Sequence, residues 1–376
     1  MKKITTKYYA VISTEQPQFN GGWEWRDLLR SMTFIFILFA LLLSSCKNDE
    51  PIPELGEFEN AVFIVNEGNF TAGNASLTYF NHQSGEVEQQ VFYRKNNAPL
   101  GDVANSISFD NNSIYLVVNN SHLVYKINSE TGVYEAKTIE LTSPRHFIKT
   151  DDHRALISDL YENNLTMVNT ENMEIISKIP IGRTSENLLK LDNDVFISNW
   201  SAYNQDLKNN MVLVLNTMSL EITDSIQVGI EPNSMVLDND NNLWVLSSGG
   251  FLNEERPSLL KIDSESKLIL QRFIFEDISS SPTKLSINPA GNTLYFINKD
   301  IFQMDISVPT LSATIFVKAS ESSKFYSLGV GSDFDIYISD ANDYTRNGTV
   351  YRYSPQGILK QEFEAGIIPG AIGFMD

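Results

Sequence analysis

The sequence predicts an all-β protein: a seven-bladed β-propeller of four-stranded antiparallel blades, closed by a C-terminal strand that completes the first blade. Three observations carry this expectation. A short apolar triplet, usually centred on an aromatic ring and followed by a polar residue, recurs seven times along the 376 residues. Its centres are Phe63, Tyr115, Leu156, Phe196, Trp244, Tyr295 and Tyr337, at intervals of 52, 41, 40, 48, 51 and 42 residues, the spacing of one propeller blade. Between the triplets lie runs of Val, Ile, Tyr, Phe and Thr broken by Asn, Asp, Gly, Ser and Pro, which is strand and turn chemistry with little room for helices. Finally, the first unit lacks a strand that the tail can supply.

The second unit shows the grammar in full. Strands are expected at 106–109, 114–118, 123–127 and 133–140, separated by turns at 110–112, 119–121 and 129–132. The first unit, from residue 58, has strands at 61–65, 77–81 and 87–93 but no strand before them. After the last outer strand, at 359–364, residues 368–374 read as the start of another unit with nothing behind it. Pairing the first and last strands in one blade closes the ring and hides edges that would template aggregation. Deleting the last ten residues is therefore expected to destabilise the whole domain.

Residues 34–43 are an unbroken apolar run, preceded by Arg26 and Arg30 and followed by Ser44-Ser45-Cys46. A bilayer-spanning helix needs about 20 residues, so this run reads as a signal-peptide core. Small residues before the chain's single cysteine resemble the lipobox of bacterial lipoproteins, which implies cleavage before Cys46 and acylation of its thiol. A free cysteine beside an anchor helix is the alternative. The chain then divides into a signal peptide at 1–45, with an N-terminal extension that is spurious if translation starts at Met32, a lipidated cysteine and acidic tether at 46–57, and the propeller at 58–376. Lys47-Asn48-Asp49-Glu50 is similar to the acidic signals that send Bacteroidetes lipoproteins to the outer face of the outer membrane. The expected location is thus the outer membrane, lipid-anchored and exposed at the cell surface.

The full chain carries 47 acidic and 28 basic residues, a formal charge of -19. Such a surface repels phosphates, which argues against a nucleic-acid partner and against membrane contact other than through the lipid. One cysteine allows no internal disulfide, and a ring of this size buries enough core to need none.

Function has to come from loops. In a propeller the loops joining second to third strands, and one blade to the next, share one face with the mouth of the central channel. Here those loops are long and aromatic, with Phe70, Tyr161, Trp200, Tyr203, Phe251 and Tyr344, whereas turns on the other face are short and bland. Excess length and exposed rings on one face mark a binding surface. The four histidines, His82, His122, His146 and His153, show no ligand spacing, and no phosphate-cradling loop, nucleophile elbow or zinc helix is visible. Enzymatic activity, a cofactor and a metal are therefore not expected. An oxygen-ligand set of Glu67, Asp159 and Asn199 is the one metal alternative, and Asp238-Asn239-Asp240-Asn241-Asn242 reads as a hairpin turn rather than half a calcium loop.

Several motifs carry a family resemblance: Asn66-Glu67-Gly68-Asn69-Phe70, Pro99-Leu100-Gly101-Asp102-Val103, Leu243-Trp244-Val245-Leu246 with Ser248-Gly249-Gly250, and Gly366-Ile367-Ile368-Pro369-Gly370. On these the mature chain resembles the YncE-like seven-bladed surface lipoproteins of Bacteroidetes, including the cobalamin-binding members of the BtuG type. The resemblance implies capture of cobalamin or another corrinoid and its transfer to a TonB-dependent outer-membrane transporter. A shallow corrinoid site needs aromatic faces for the apolar surfaces and polar groups for the amide edge. Phe70, Tyr161, Trp200, Tyr203 and Tyr344 fit the first need; Asn66, Glu67, Asp102, Asn119, Asp159, Asn199 and Asp340 fit the second. For the rings the alternative is packing against the rim; for the polar set it is hydrogen bonding between neighbouring blades. A scaffold that binds protein and no small ligand is the second functional reading, and a lactonase-like or metal-dependent propeller enzyme the third.

Overall fold

The protein is described by a computed structural model covering residues 56–110, 112–201 and 208–375. Cys46, the signal peptide and nearly all of the tether, together with Tyr203, lie outside the described residues.

Seven four-stranded antiparallel sheets form the domain. In blade 2 the strands run Ala104–Asp110, Ser113–Val118, Leu123–Asn128 and Tyr134–Thr138 from the inside outwards, close to the expected bounds. The second strand of each blade is the apolar triplet; both of its faces are covered by neighbouring blades, which is why it reads as a continuous apolar run rather than an alternating one. The buried residues fall into seven clusters, each filled by side chains from two adjacent blades. Their regular succession, from blades 1 and 2 round to blades 7 and 1, closes the ring.

Closure follows the expected plan. Pro369–Met375 pairs antiparallel with Ala61–Asn66 and becomes the innermost strand of blade 1. Tail residue Phe374 lies across from Val62 and packs its ring against Tyr337 of blade 7 at 5.4 Å.

One expected strand is wrong. The fourth strand of blade 1 was to span 87–93, but only Val87–Glu88 pairs, and Val91–Asn96 forms a helix, α1. Gln90 adopts a left-handed conformation, φ 53°, which turns the chain out of the sheet. The helix then buries Val91 and Phe92 in the core between blades 1 and 2, so tertiary burial overrides the strand preference of Val, Phe and Tyr.

Candidate functional site

The long loops meet on one face, where side chains of one loop bind the next. Asn69 donates to the Tyr344 carbonyl at 2.7 Å, the Thr71 amide donates to Asp102 at 2.9 Å, and Thr142 donates to Glu162 at 2.7 Å. On this braced face Phe70 is 70% exposed and Phe251 88% exposed, with Tyr161, Trp200 and Tyr344 each exposed as well. The structure thus gathers four of the five expected rings on one face, with Phe251 beside them.

The seven expected polar residues divide three ways. Asn66 is fully buried: its amide donates to Ser76 and Thr78 at 3.1 and 3.0 Å, and its oxygen accepts from the Gly366 amide at 2.9 Å. Asn119 reaches blade 3, donating to Ser143 and to the Pro144 carbonyl. Asp159 accepts from the backbone amides of Ser143, Tyr161 and Glu162, Asp340 from those of Lys324 and Asn342. Asn199 pairs with Thr184 and the Ser201 amide. These five side chains are engaged in holding strand ends and adjacent blades together. Asp102 braces Thr71 and Asn120 through one oxygen. Glu67 alone of the set faces the channel network described next.

That network grows from a recurring backbone device. At the start of the innermost strand the register slips against its neighbour in blades 1, 2, 3, 5, 6 and 7. A β-bulge inserts an unpaired residue and re-aims its side chain. The residues at these slips include Gly370, Asn105, Arg145 with His146, Asn233, Lys284 and Tyr326. Two of these reach the next blade, Asn105 donating to the Arg145 carbonyl at 2.7 Å and Asn233 to that of Pro282 at 2.8 Å, while Lys284 of blade 6 reaches past blade 7 to the Gly370 carbonyl of blade 1 at 3.0 Å. Arg145 grips Glu186 of blade 4 bidentately at 2.7 and 2.8 Å, with His146 at 3.9 Å from the same carboxylate. Glu67 accepts from the Tyr326 hydroxyl at 3.2 Å and lies over Gly370, where an added Cβ would stand 2.3 Å from its oxygen. The Tyr326 ring meets Tyr344 edge to face at 5.9 Å, joining the network to the exposed aromatics.

Burial governs the charges here. It raises the pKa of Glu67, against the pull of Lys284 and the Tyr326 hydrogen bond, and it lowers that of Lys284, against Glu67 and Glu186. It pushes His146 down to about 4, so the imidazole is uncharged at neutral pH. Burial also opposes the charge on Glu186, but Arg145 overrides it and holds the carboxyl below its usual range, with the Trp200 side chain as a further hydrogen-bond donor. Desolvation likewise works against Arg145, and Glu186 more than offsets it. The mouth is therefore a desolvated polar pad in which acids and bases offset one another, edged by aromatic faces.

Sequence reasoning missed Arg145, His146, Glu186, Lys284 and Tyr326. A signal existed: a proline at or just before the innermost strand followed by a polar residue, as in Pro144-Arg145, Pro232-Asn233 and Pro282-Thr283-Lys284. Among the described residues no three of His, Cys, Asp and Glu gather to hold a metal, and Asp159 and Asn199 of the oxygen-ligand alternative are engaged as described. Asp238 accepts from the amides of Asp240 and Asn242 and from the Trp244 indole at 3.0 Å, the behaviour of a hairpin turn.

Residues 60–355 match the model of a family described as a domain of unknown function, DUF5074. No curated protein matches the sequence. Among solved structures, the chain is similar to a quinoprotein alcohol dehydrogenase-like protein of Bacteroides thetaiotaomicron, with a TM-score of 0.67 and 16% identity over 85% of this chain and 79% of that one. It is also similar to the periplasmic gluconolactonase of Pseudomonas aeruginosa, TM-score 0.63 and 10% identity over 84% of this chain and 99% of that one. A Lactobacillus plantarum protein gives a TM-score of 0.63 at 11% identity, over 85% of this chain and all of that one (100%). At these identities the likeness is one of fold.

Proposed function

With the chain belonging to the DUF5074 family, we propose that it is a capture protein: an outer-membrane surface lipoprotein, anchored through Cys46, that binds a broad amphipathic ligand on its loop face without transforming it. The observation that carries this reading is the compensated pad of Glu67, Arg145, Glu186 and Lys284 edged by Phe70, Tyr161, Trp200 and Tyr344. Exposed rings supply contact area at low entropic cost, and a pad whose charges are already matched favours a ligand with polar edges and little net charge. Corrinoids have that character, so cobalamin is the ligand of choice for the test and a TonB-dependent transporter the expected recipient.

The test is thermal unfolding of the mature chain with cobalamin, cobinamide, calcium and glycans. A ligand that binds only the folded ring at 100 times its Kd adds about 2.7 kcal/mol and raises the midpoint. An unmoved midpoint in excess cobalamin and cobinamide removes the corrinoid assignment. A protein-binding scaffold is the second reading, favoured by Phe251 and Leu252, which stand 88% and 76% exposed at the tip of a loop braced by Glu231 and Glu254. It predicts loss of transporter association on Phe251→Ala with no corrinoid shift in the wild type.

A further inference from the structure

Within the channel network one ring is held by no hydrogen bond. His146 lies in the register slip of the innermost strand of blade 3, between Pro144 and Phe147. Its backbone amide is satisfied by the Ser158 hydroxyl at 3.0 Å. Its side chain is 31% exposed, so the imidazole is reachable from the mouth. Among the described residues neither ring nitrogen has a hydrogen-bond partner. His122, exposed on the same face, differs in this respect, since its Nδ1 lies 2.7 Å from the Thr142 carbonyl.

The surroundings of this imidazole are fixed. Glu186 brings a carboxylate oxygen to 3.9 Å from Nε2, longer than a hydrogen bond, and Arg145 holds that carboxylate through two bonds of 2.7 and 2.8 Å. Trp200, 40% exposed, reaches the same carboxylate. One carboxylate thus stands beside both an imidazole and an aromatic face of the rim. A histidine that ligates a metal almost always turns its other ring nitrogen to a carboxylate, carbonyl or water, which fixes the ring. His146 has such a carboxylate beside Nε2 and an Nδ1 without a partner. Since no three of His, Cys, Asp and Glu gather among the described residues, the chain offers one ligand here rather than a cage. One imidazole is enough for a metal that arrives with its other positions filled, and imidazole suits the first-row transition metals.

We propose that His146 is the axial ligand of a metal macrocycle captured at the mouth. The inference rests on the capture reading above and names the atom that the centre of the ligand meets. Nδ1 forms a bond to the metal as a metal-bound water leaves, no electron is transferred, and Nε2–H turns to Glu186. The macrocycle lies across the mouth with Trp200 against its plane. Cobalt in a corrinoid and iron in a haem offer the same chemistry. The offset charges of Glu67, Arg145, Glu186 and Lys284 favour the corrinoid, whose edge carries amides rather than carboxylates.

In the experiment the mature chain is titrated with diaquacobinamide, whose axial waters exchange, with dicyanocobinamide, whose cyanides do not, and with haemin, each followed by visible absorption and calorimetry. The diaqua form is expected to bind with a shift of its visible bands, and the dicyano form to bind about tenfold more weakly without one. His146→Ala should abolish the shift and bring the two cobinamides to equal affinity, with the unfolding midpoint at neutral pH in place. His122→Ala should change neither. Glu186→Gln should weaken the diaqua form relative to the dicyano form by about tenfold, the cost of losing the group that orients a metal-bound histidine. Tighter binding of haemin, with its own band shift lost in His146→Ala, assigns the site to an iron macrocycle. Equal binding of the two cobinamides by the wild type, or a shift that survives His146→Ala, would overturn the axial role and leave capture standing. Absence of binding by all three probes would overturn the macrocycle as ligand along with it.

Discussion

Ring closure rests on a fit between the tail and blade 7 that two substitutions can measure. Gly329 lies opposite Tyr337 in the innermost pair of blade 7. A Cβ on Gly329 would stand 2.8 Å from the edge of the Phe374 ring, and one on Gly331 at 3.4 Å. The two glycines form the slot that the tail's ring enters. Phe374→Ala empties the slot; since the ring is only partly buried, the cost should sit near the low end for such truncations, about 3 kcal/mol. Gly329→Ala overfills it and should cost about 1–3 kcal/mol. If the two costs share the ring as their cause, the double variant recovers the overpacking and falls short of the sum by about 1–3 kcal/mol. Urea unfolding followed by tryptophan fluorescence, with Trp244 buried, gives all four stabilities. Additivity within about 0.5 kcal/mol would refute the slot as the closing contact. As a coarser control, truncation after Ile367 removes all six paired positions along Ala61–Asn66. At about 1 kcal/mol per ladder bond and with apolar surface exposed besides, that consumes much of a domain's usual margin of about 5–15 kcal/mol, and limited proteolysis should cut the truncated ring rapidly.

Two further perturbations separate support from recognition. Asn66→Ala leaves the buried Gly366 amide without its acceptor and removes the amide that donates to the Ser76 and Thr78 hydroxyls; a loss of about 2–3 kcal/mol in urea is expected, with ligand affinity of the folded ring unchanged. Phe70→Ala, at an exposed ring, should do the reverse, holding stability within about 0.5 kcal/mol while weakening ligand binding by titration calorimetry. The pH dependence should carry the signature of His146. Its folded pKa, about 4, lies below the unfolded value of 6.5, so the unfolded chain binds the extra proton first. Stability therefore falls as pH drops from about 6.5 to about 4 and is constant with respect to this group below that. Glu67, whose pKa is raised, works in the opposite sense near its own range. His146→Gln should flatten the fall between pH 6.5 and 4 in urea midpoints; an unchanged slope would place the dependence elsewhere.

Much of the fold was legible because its strongest signal is repeated. A triplet such as Val195-Phe196-Ile197 must be apolar on both faces, since blades cover both, and seven such triplets at blade spacing leave few alternatives. The tail strand was legible for the same reason, as a unit start with nothing after it. The helix at Val91–Asn96 was not, because Val, Phe and Tyr favour strands and the deciding event is the left-handed turn at Gln90, a residue with no glycine-like signature.

The site divides along the same line. The rings were legible because composition alone separates one set of loops from the other, and the structure places Phe70, Tyr161, Trp200 and Tyr344 on a common braced face. Polar residues at strand ends carry no such mark. Asn66 and Glu67 are neighbours in sequence, yet one is spent inside blade 1 and the other accepts from Tyr326 across the mouth. The charged network was hidden for a geometric reason. Strand alternation assigns side chains to faces by counting in twos, and a bulge adds one residue to one strand and breaks the count. Arg145 and Lys284 sit at such slips, so their convergence with Glu186 and Glu67 depends on backbone register, which no run of residue types displays. In this ring the bulges aim the polar groups, the long loops carry the rings, and a ligand that needs both must lie across the mouth where the two meet.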